Sequence, residues 1–250
     1  MYKVATFNAP RARVDPLSTP GVGVGAKHRG FRLLDLLVPE RCAACGAGER
    51  VVCAPCLADL RLLRGPLCAR CGAPTAWPVD RCVECAGRRL AFVSARAAVA
   101  YDGPARTLVT AWKERGRRRL APVFAGLVSD FVPRPPADAL TFIPSDPDRG
   151  LWRGQNPAET LARLVALEWE LPVEPLLTRR RQVRPQRGLA REARRANVRR
   201  AFRATAAPSV VALIDDVYTT GATVGSAATE LRLAGARAVH VVTFARAVRR

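Results

Sequence analysis

The sequence predicts an α/β protein in which a mostly parallel, twisted sheet is flanked by helices and joined to a small N-terminal Cys-rich zinc module. Three observations carry that expectation. Short apolar runs alternate with helical periodicity from residue 95 to residue 245, the order that yields parallel sheets. The apolar run Val210–Ile214 ends in two aspartates and a Thr/Gly loop that opens a helix, the usual place for a ligand in an open α/β sheet. All eight cysteines fall in four C-x-x-C pairs. With 250 residues, 49% of them hydrophobic, the chain can bury one core and still carry a satellite module.

Residues 1–30 hold scattered prolines, a GVGVG stretch and no apolar period, and are read as a disordered extension. A short apolar segment, Phe31 to Leu37, spans one or two helical turns and is closed by Pro39. The Cys-rich module occupies 31–90 and the α/β domain 91–250. Within the latter, 95–101 reads as a strand, 104–112 and 120–131 as helices around a basic elbow, 140–143 as a strand and 157–168 as a helix. Val210–Ile214, a helix after residue 221 capped by Gly235, and a return strand at 238–243 complete the pattern. No run of 18 apolar residues and no signal-peptide core occurs, so the expectation is a soluble cytoplasmic protein without a membrane span.

The pairs Cys42/Cys45, Cys53/Cys56, Cys68/Cys71 and Cys82/Cys85 have the spacing at which two thiolates from one tight turn reach a single ion. Gly46 and Gly72 follow the second Cys of their pairs, where such a turn needs positive φ. Structural Zn²⁺ is the preferred reading over redox dithiols, and over disulfides, which need an oxidising compartment. Joining consecutive pairs gives two zinc sites; interleaved pairing stays open. A catalytic zinc is disfavoured, because neither His28 nor His240 lies among the pairs.

The string Asp215-Asp216-Val217-Tyr218-Thr219-Thr220-Gly221-Ala222-Thr223 follows the buried-type strand. Unpaired amides at a helix N-terminus hold a phosphate monoester, Thr219, Thr220 and Thr223 add hydroxyls, and Gly221 lets the backbone come close. Two adjacent carboxylates before that cradle accept hydrogen bonds from a vicinal diol, so a ribose 5-phosphate is read at both ends. Mg²⁺ binding by the acids alone, or an ordinary helix cap, is the plainer alternative.

These residues resemble the PRPP loop of type I phosphoribosyltransferases, and the surrounding chain narrows the resemblance to the ComF competence-protein family over residues 31–248. It includes the Leu-Leu-Asp-Leu-Leu-Val-Pro lead-in (33–39), the C-x-x-C pairs, Tyr101-Asp-Gly with Lys113 further on, Arg153-Gly154, Gln186 with Leu189, Arg194 with Asn197-Val198, and Ala201-Phe202. The resemblance implies a type I phosphoribosyltransferase-like domain after the zinc module. It also implies Asp215 and Asp216 as the catalytic ribose-diol carboxylates, and Val217 to Thr223 with Arg153 and Arg194 as ligand contacts. PRPP with Mg²⁺ is the implied ligand, and a role in DNA uptake or natural transformation, beside a DNA-translocating ATPase, the implied setting. One segment departs: where the family reads Arg-Gly-Phe-Asn-Gln, this chain has Arg153-Gly154-Gln155-Asn156-Pro157, after Asp146 and Asp148, which repel pyrophosphate unless Mg²⁺ lies between.

The net charge is +20, with only three lysines among 41 basic residues. Arginine favours bidentate phosphate contacts, which suits a polyanion such as single-stranded DNA. Coding bias alone also yields an Ala- and Arg-rich chain. Eleven arginines and one acid, Glu192, lie between Arg179 and Arg203, fitting a basic hood over the phosphate site, a DNA track, or a plain solvated face. Trp152, between Arg149 and Arg153, is the aromatic best placed to stack on a base. Two further readings are a zinc-dependent adaptor or sensor that keeps the phosphate loop without turnover, and a base-salvage phosphoribosyltransferase, for which four Cys pairs have no use.

Overall fold

The computed structural model describes residues 41–145, 156–180 and 201–248, all within one compact unit. The 1–30 extension, the 33–39 lead-in, Asp146, Asp148, Trp152, Arg153, Arg194 and the middle of the arginine-dense stretch lie outside the described residues.

Residues 41–90 form two consecutive ribbons of one design. In each, the first Cys donates its backbone N–H to the carbonyl of a residue five ahead (Cys42 N to Ala47 O, Cys68 N to Ala73 O), and its own carbonyl accepts from the glycine four residues on (Gly46 N to Cys42 O, Gly72 N to Cys68 O). Gly46 and Gly72 have φ of 78° and 70°, the left-handed turn expected of them. A one-turn helix, α1 (Ala54–Ala58), starts between the second pair of the first ribbon.

The rest alternates strand and helix: β1 (Ser94–Ala100), α2 (Gly103–Glu114), α3 (Leu120–Phe131), β2 (Ala139–Phe142), α4 (Pro157–Trp169), β3 (Leu177–Arg179), β4 (Phe202–Ala204), β5 (Val210–Tyr218), α5 (Ala222–Leu233) and β6 (Ala238–Arg246). The main sheet has the order β1-β6-β5-β2, with every pairing parallel. A parallel sheet is covered on its faces, so its strands read as apolar runs. β5 shows this, with residues 211 to 214 buried. α3 lays Phe124 on Phe244 of β6, ring centroids 3.8 Å apart, and Trp112 of α2 meets Phe124 edge-on at 5.0 Å. α4 begins at Pro157, where a missing N–H costs nothing, and Asn156 caps it by accepting from Ala158 N. Gly235, with φ 113°, follows α5 as expected.

Two differences from the sequence expectation bear on the cleft and the arginine-dense stretch. β5 runs on through the two aspartates to Tyr218, because the ladder to β6 continues at Val217↔Ala245 and Tyr218↔Arg246. The antiparallel hairpin β3–β4 was not expected; its strands have three residues each and bracket the arginine-dense stretch.

Both edges of the sheet are covered. β1 takes backbone bonds from the ribbon chain (Leu63 N to Ala98 O, and Ala100 N donating to Arg61 O), and Ala95 N donates to Arg70 O. β2 is flanked by residues 172–174 through Leu140 N to Pro172 O and Glu174 N to Leu140 O. The cysteines of the second ribbon belong to the same hydrophobic cluster as Phe92, Val99 and Phe244. Among the described residues, no helix is long and apolar enough to cross a membrane.

Candidate functional site

The eight cysteines gather by consecutive pairs. Cys42, Cys45, Cys53 and Cys56 form one group and Cys68, Cys71, Cys82 and Cys85 the other, with all Sγ atoms of a group within 4.8 Å of one another. Tetrahedral zinc with Zn–S of about 2.3 Å places its sulfurs about 3.8 Å apart. The separations here fit: 3.7 Å for Cys45–Cys53, 3.6 Å for Cys68–Cys85 and 3.4 Å for Cys71–Cys82. An amide of the second pair also points at the first sulfur of each group, Cys53 N to Cys42 Sγ at 3.4 Å and Cys82 N to Cys68 Sγ at 3.3 Å. Burial pushes the Cys68 thiol up, but the amides of Cys71, Cys82 and Arg70 more than offset it, leaving about 6. Cys42 is likewise brought to about 6 against burial, by the amides of Cys45, Cys53 and Ala44. Such sulfurs are ready thiolate ligands, and the two Cys₄ groups are consistent with two structural zinc ions. The groups differ in setting: Cys45 is exposed, whereas the second group is entirely buried.

The second feature is a cleft of about 430 Å³ at the carboxyl ends of β5 and β2. Asp215, Asp216, Val217, Thr219 and Thr223 line it from β5 and α5, Lys113 and Tyr101 from the other side, and Asn156 and Arg179 at its rim. Of the remaining loop residues, Thr220 and Ala222 are exposed, while Tyr218 and Gly221 are buried. Thr220 Oγ1 accepts from Ala222 N, ordering the turn into α5, and Gly221 adopts φ 73°. The sequence expectation for 215–223 thus falls at one strand-loop-helix junction. Asp146, Asp148, Arg153 and Arg194, also assigned to this site from sequence, lie outside the described residues.

Lys113, near the end of α2, reaches across to pair with Asp216. Its side chain supplies the one cation that the resemblance named without a role. Asp216 is 6% exposed and its neighbour is half-buried. Burial, and then the adjacent Asp216 carboxylate, push the Asp215 carboxyl well above its ordinary value of 3.8, with Lys113 pulling the other way.

This has a consequence for stability. A carboxyl whose folded-state pKa is raised binds its proton more tightly in the native state, so its contribution is present below pH 3.8 and is lost as pH rises through the folded value. Asp215→Asn is therefore expected to melt above wild type at neutral pH, with the difference vanishing as pH approaches 4. Thermal melts across pH 4–8 check this. A melting temperature for the variant at or below wild type throughout would contradict it.

Comparison with known proteins bears on both features. A double zinc ribbon domain matches residues 33–86, which contain all eight cysteines. The chain is 25% identical over 226 residues to competence protein F of Haemophilus influenzae, covering 83% of this chain and 97% of that protein. It is 26% identical to competence protein ComFC of Streptococcus pneumoniae, covering 82% and 100%. It is 28% identical to the DNA utilization protein YhgH of Salmonella typhi, covering 82% and 96%. Among solved structures, glutamine phosphoribosylpyrophosphate amidotransferase from B. subtilis aligns at 22% identity and a TM-score of 0.38, covering 51% of this chain and about a quarter of that protein, 26%. The purine phosphoribosyltransferase of Pyrococcus horikoshii aligns at 13% identity and a TM-score of 0.29, covering 54% and 83%. The chain is thus similar along nearly the whole length of these competence and DNA-utilization proteins, and it joins a double ribbon to a parallel α/β sheet.

Proposed function

We propose that the cleft at 215–223 binds a ribose 5-phosphate ligand, PRPP with Mg²⁺, and that the protein acts in the use of incoming DNA. The single observation that carries the ligand reading is the convergence of an adjacent carboxylate pair, threonine hydroxyls and a helix N-terminus in one cleft. The phosphate sits on the first turn of α5, where the amides lack intrahelical acceptors and Thr219 and Thr223 donate. The ribose 2- and 3-hydroxyls donate to Asp215 and Asp216. The raised Asp215 carboxyl beside a second acid supports this, since hydroxyl donors relieve the repulsion that burial amplifies.

The same carboxylates are the residues that would hold Mg²⁺, and two acids sharing one lysine fit a cation. Bound with PRPP, Mg²⁺ supplies charge neutralisation at the pyrophosphate. Transfer breaks the bond from ribose C1 to the pyrophosphate oxygen and forms one from C1 to the acceptor's nucleophilic atom, and pyrophosphate leaves with the electron pair. Lys113, released from Asp216 as the diol takes its place, is free to face the departing anion. The chain's own part is orientation and electrostatics.

Calorimetric titration of PRPP with Mg²⁺ into the zinc-loaded protein tests the site. Wild type is expected to bind, and Asp215→Asn/Asp216→Asn to lose at least a hundredfold in affinity, because two charge-assisted bonds are removed. No binding by folded wild type would leave the adaptor reading. The DNA role rests on the names of the relatives and on the +20 charge. Anisotropy with single-stranded DNA is expected to show affinity falling steeply with salt. It should weaken further on deletion of 181–200; unchanged binding would move the DNA surface elsewhere.

A further inference from the structure

The second ribbon touches the phosphate loop by two routes. The first runs through the interior. Arg246, at the end of β6, is 2% exposed, and its guanidinium donates to Cys71 O at 2.6 Å and to Glu84 at 2.8 Å. Both acceptors belong to the zinc knuckles: Cys71 is a ligand, and Glu84 lies between the ligands Cys82 and Cys85. A buried guanidinium needs such partners, so its position depends on the knuckles keeping theirs. On its other side, Arg246 lies over the Tyr218 ring at 4.7 Å, with Tyr218 opposite it in the β5–β6 ladder. The Tyr218 ring is in turn the floor of the loop. A Cβ on Gly221 would stand 2.3 Å from the Tyr218 hydroxyl and 2.6 Å from its Cζ. The turn at Gly221 can rest there only because it is glycine and because the ring stays in place.

The second route runs over the surface. Arg88, three residues past Cys85, donates from Nη2 to the Thr220 carbonyl at 2.8 Å. The loop is therefore held from below and from the side, and both supports have their position set by the second Cys₄ group.

We propose that Arg88, Arg246 and Tyr218 are positioning residues of the phosphate loop, through which the folded second ribbon sets the loop's ligand-binding conformation. Its consequence for ligand affinity rests on the ribose-phosphate reading above; the coupling itself does not. The loop geometry is then conditional on the state of one metal site, and loss of the second zinc loosens the cradle before any cradle residue changes.

Hydrogen exchange by mass spectrometry on the full chain loaded with zinc tests this without needing a ligand. Arg88→Ala is expected to keep the wild-type zinc content and melting temperature while amide exchange across 219–224 speeds up about tenfold, the loss of one charge-assisted bond. Exchange in β2 and α4 should not change, and Arg88→Lys should restore most of the protection. Glu84→Gln is expected to loosen the same segment through Arg246. Should Glu84→Gln not fold, the exposed Arg88 position still decides the matter. Wild-type exchange rates at 219–224 in Arg88→Ala with zinc retained would overturn the proposal. PRPP titration of the same samples separates the two readings: faster loop exchange together with no PRPP binding by wild type sinks the ribose-phosphate assignment and leaves the coupling standing.

Discussion

Cys85→Ser is expected to leave no folded protein at 37 °C, whereas Cys45→Ser leaves a chain that keeps its sheet and one zinc. A structural zinc contributes on the order of 10–16 kcal/mol to the fold that binds it. That matches or exceeds the roughly 5–15 kcal/mol of net stability available to a domain. Where the loss falls depends on what each ribbon packs against. Cys68, Cys71, Cys82 and Cys85 are 0%, 2%, 9% and 0% exposed and share a cluster with Phe92 and the strands. The first group reaches that cluster through the buried Cys42, but has Cys45 in solvent and Cys53 and Cys56 only half-buried against it. Chelator titration followed by circular dichroism should show two phases: an early zinc released with little change in signal, and a later one released together with the fold. A single phase, or survival of Cys85→Ser with a wild-type melt, would show that the second site is not integral to the core.

Gly72→Ala is expected to be the most damaging change that touches no ligand. The position combines a left-handed backbone with a lack of space: a Cβ would come within 2.3 Å of the Ala95 carbonyl oxygen near the start of β1. Forcing a non-glycine residue into that backbone region costs about 1–3 kcal/mol. Displacing a packed backbone costs about 1–3 kcal/mol more. At about 2–4 °C per kcal/mol for a chain of this size, the melting temperature should fall by roughly 10 °C. Gly46 provides an internal comparison, because it has the same φ class with nothing within 4 Å. Gly46→Ala should show the strain alone, and thermal melts of the two zinc-loaded variants should differ by the collision. Equal losses would mean that the ribbon is not wedged against β1.

Much of this was legible because the informative features are local. Two residues between cysteines fix a knuckle, so four metal-binding pairs follow from spacing, whereas their consecutive grouping, left open by the sequence, is seen only in the fold. Helix α3 and the start of α4 are where apolar period and Pro157 put them. The loop at 215–223 is a contiguous string whose chemistry can be read without a fold. The end of β5 was missed because two acids look like a strand terminus, while the neighbouring strand's unused backbone groups decide where pairing stops. The β3–β4 hairpin was missed because three-residue strands more than twenty residues apart leave no periodic signal. Lys113 and Arg246 carry roles that exist only in three dimensions. One pairs from α2 to β5, and the other, near a basic chain end, is buried by residues about 160 positions earlier.

The covered edge of β1 has a further meaning. A parallel strand at the margin of a sheet presents a row of unused donors and acceptors, which other chains can extend. Here the ribbon chain occupies that row at Arg61, Leu63 and Arg70. The metal module is thus also a guard against strand addition between molecules. A truncation beginning at residue 91 would expose β1 along its length, and such a fragment should emerge from expression as aggregate or oligomer, with solubility returning when the ribbons are supplied in the same chain.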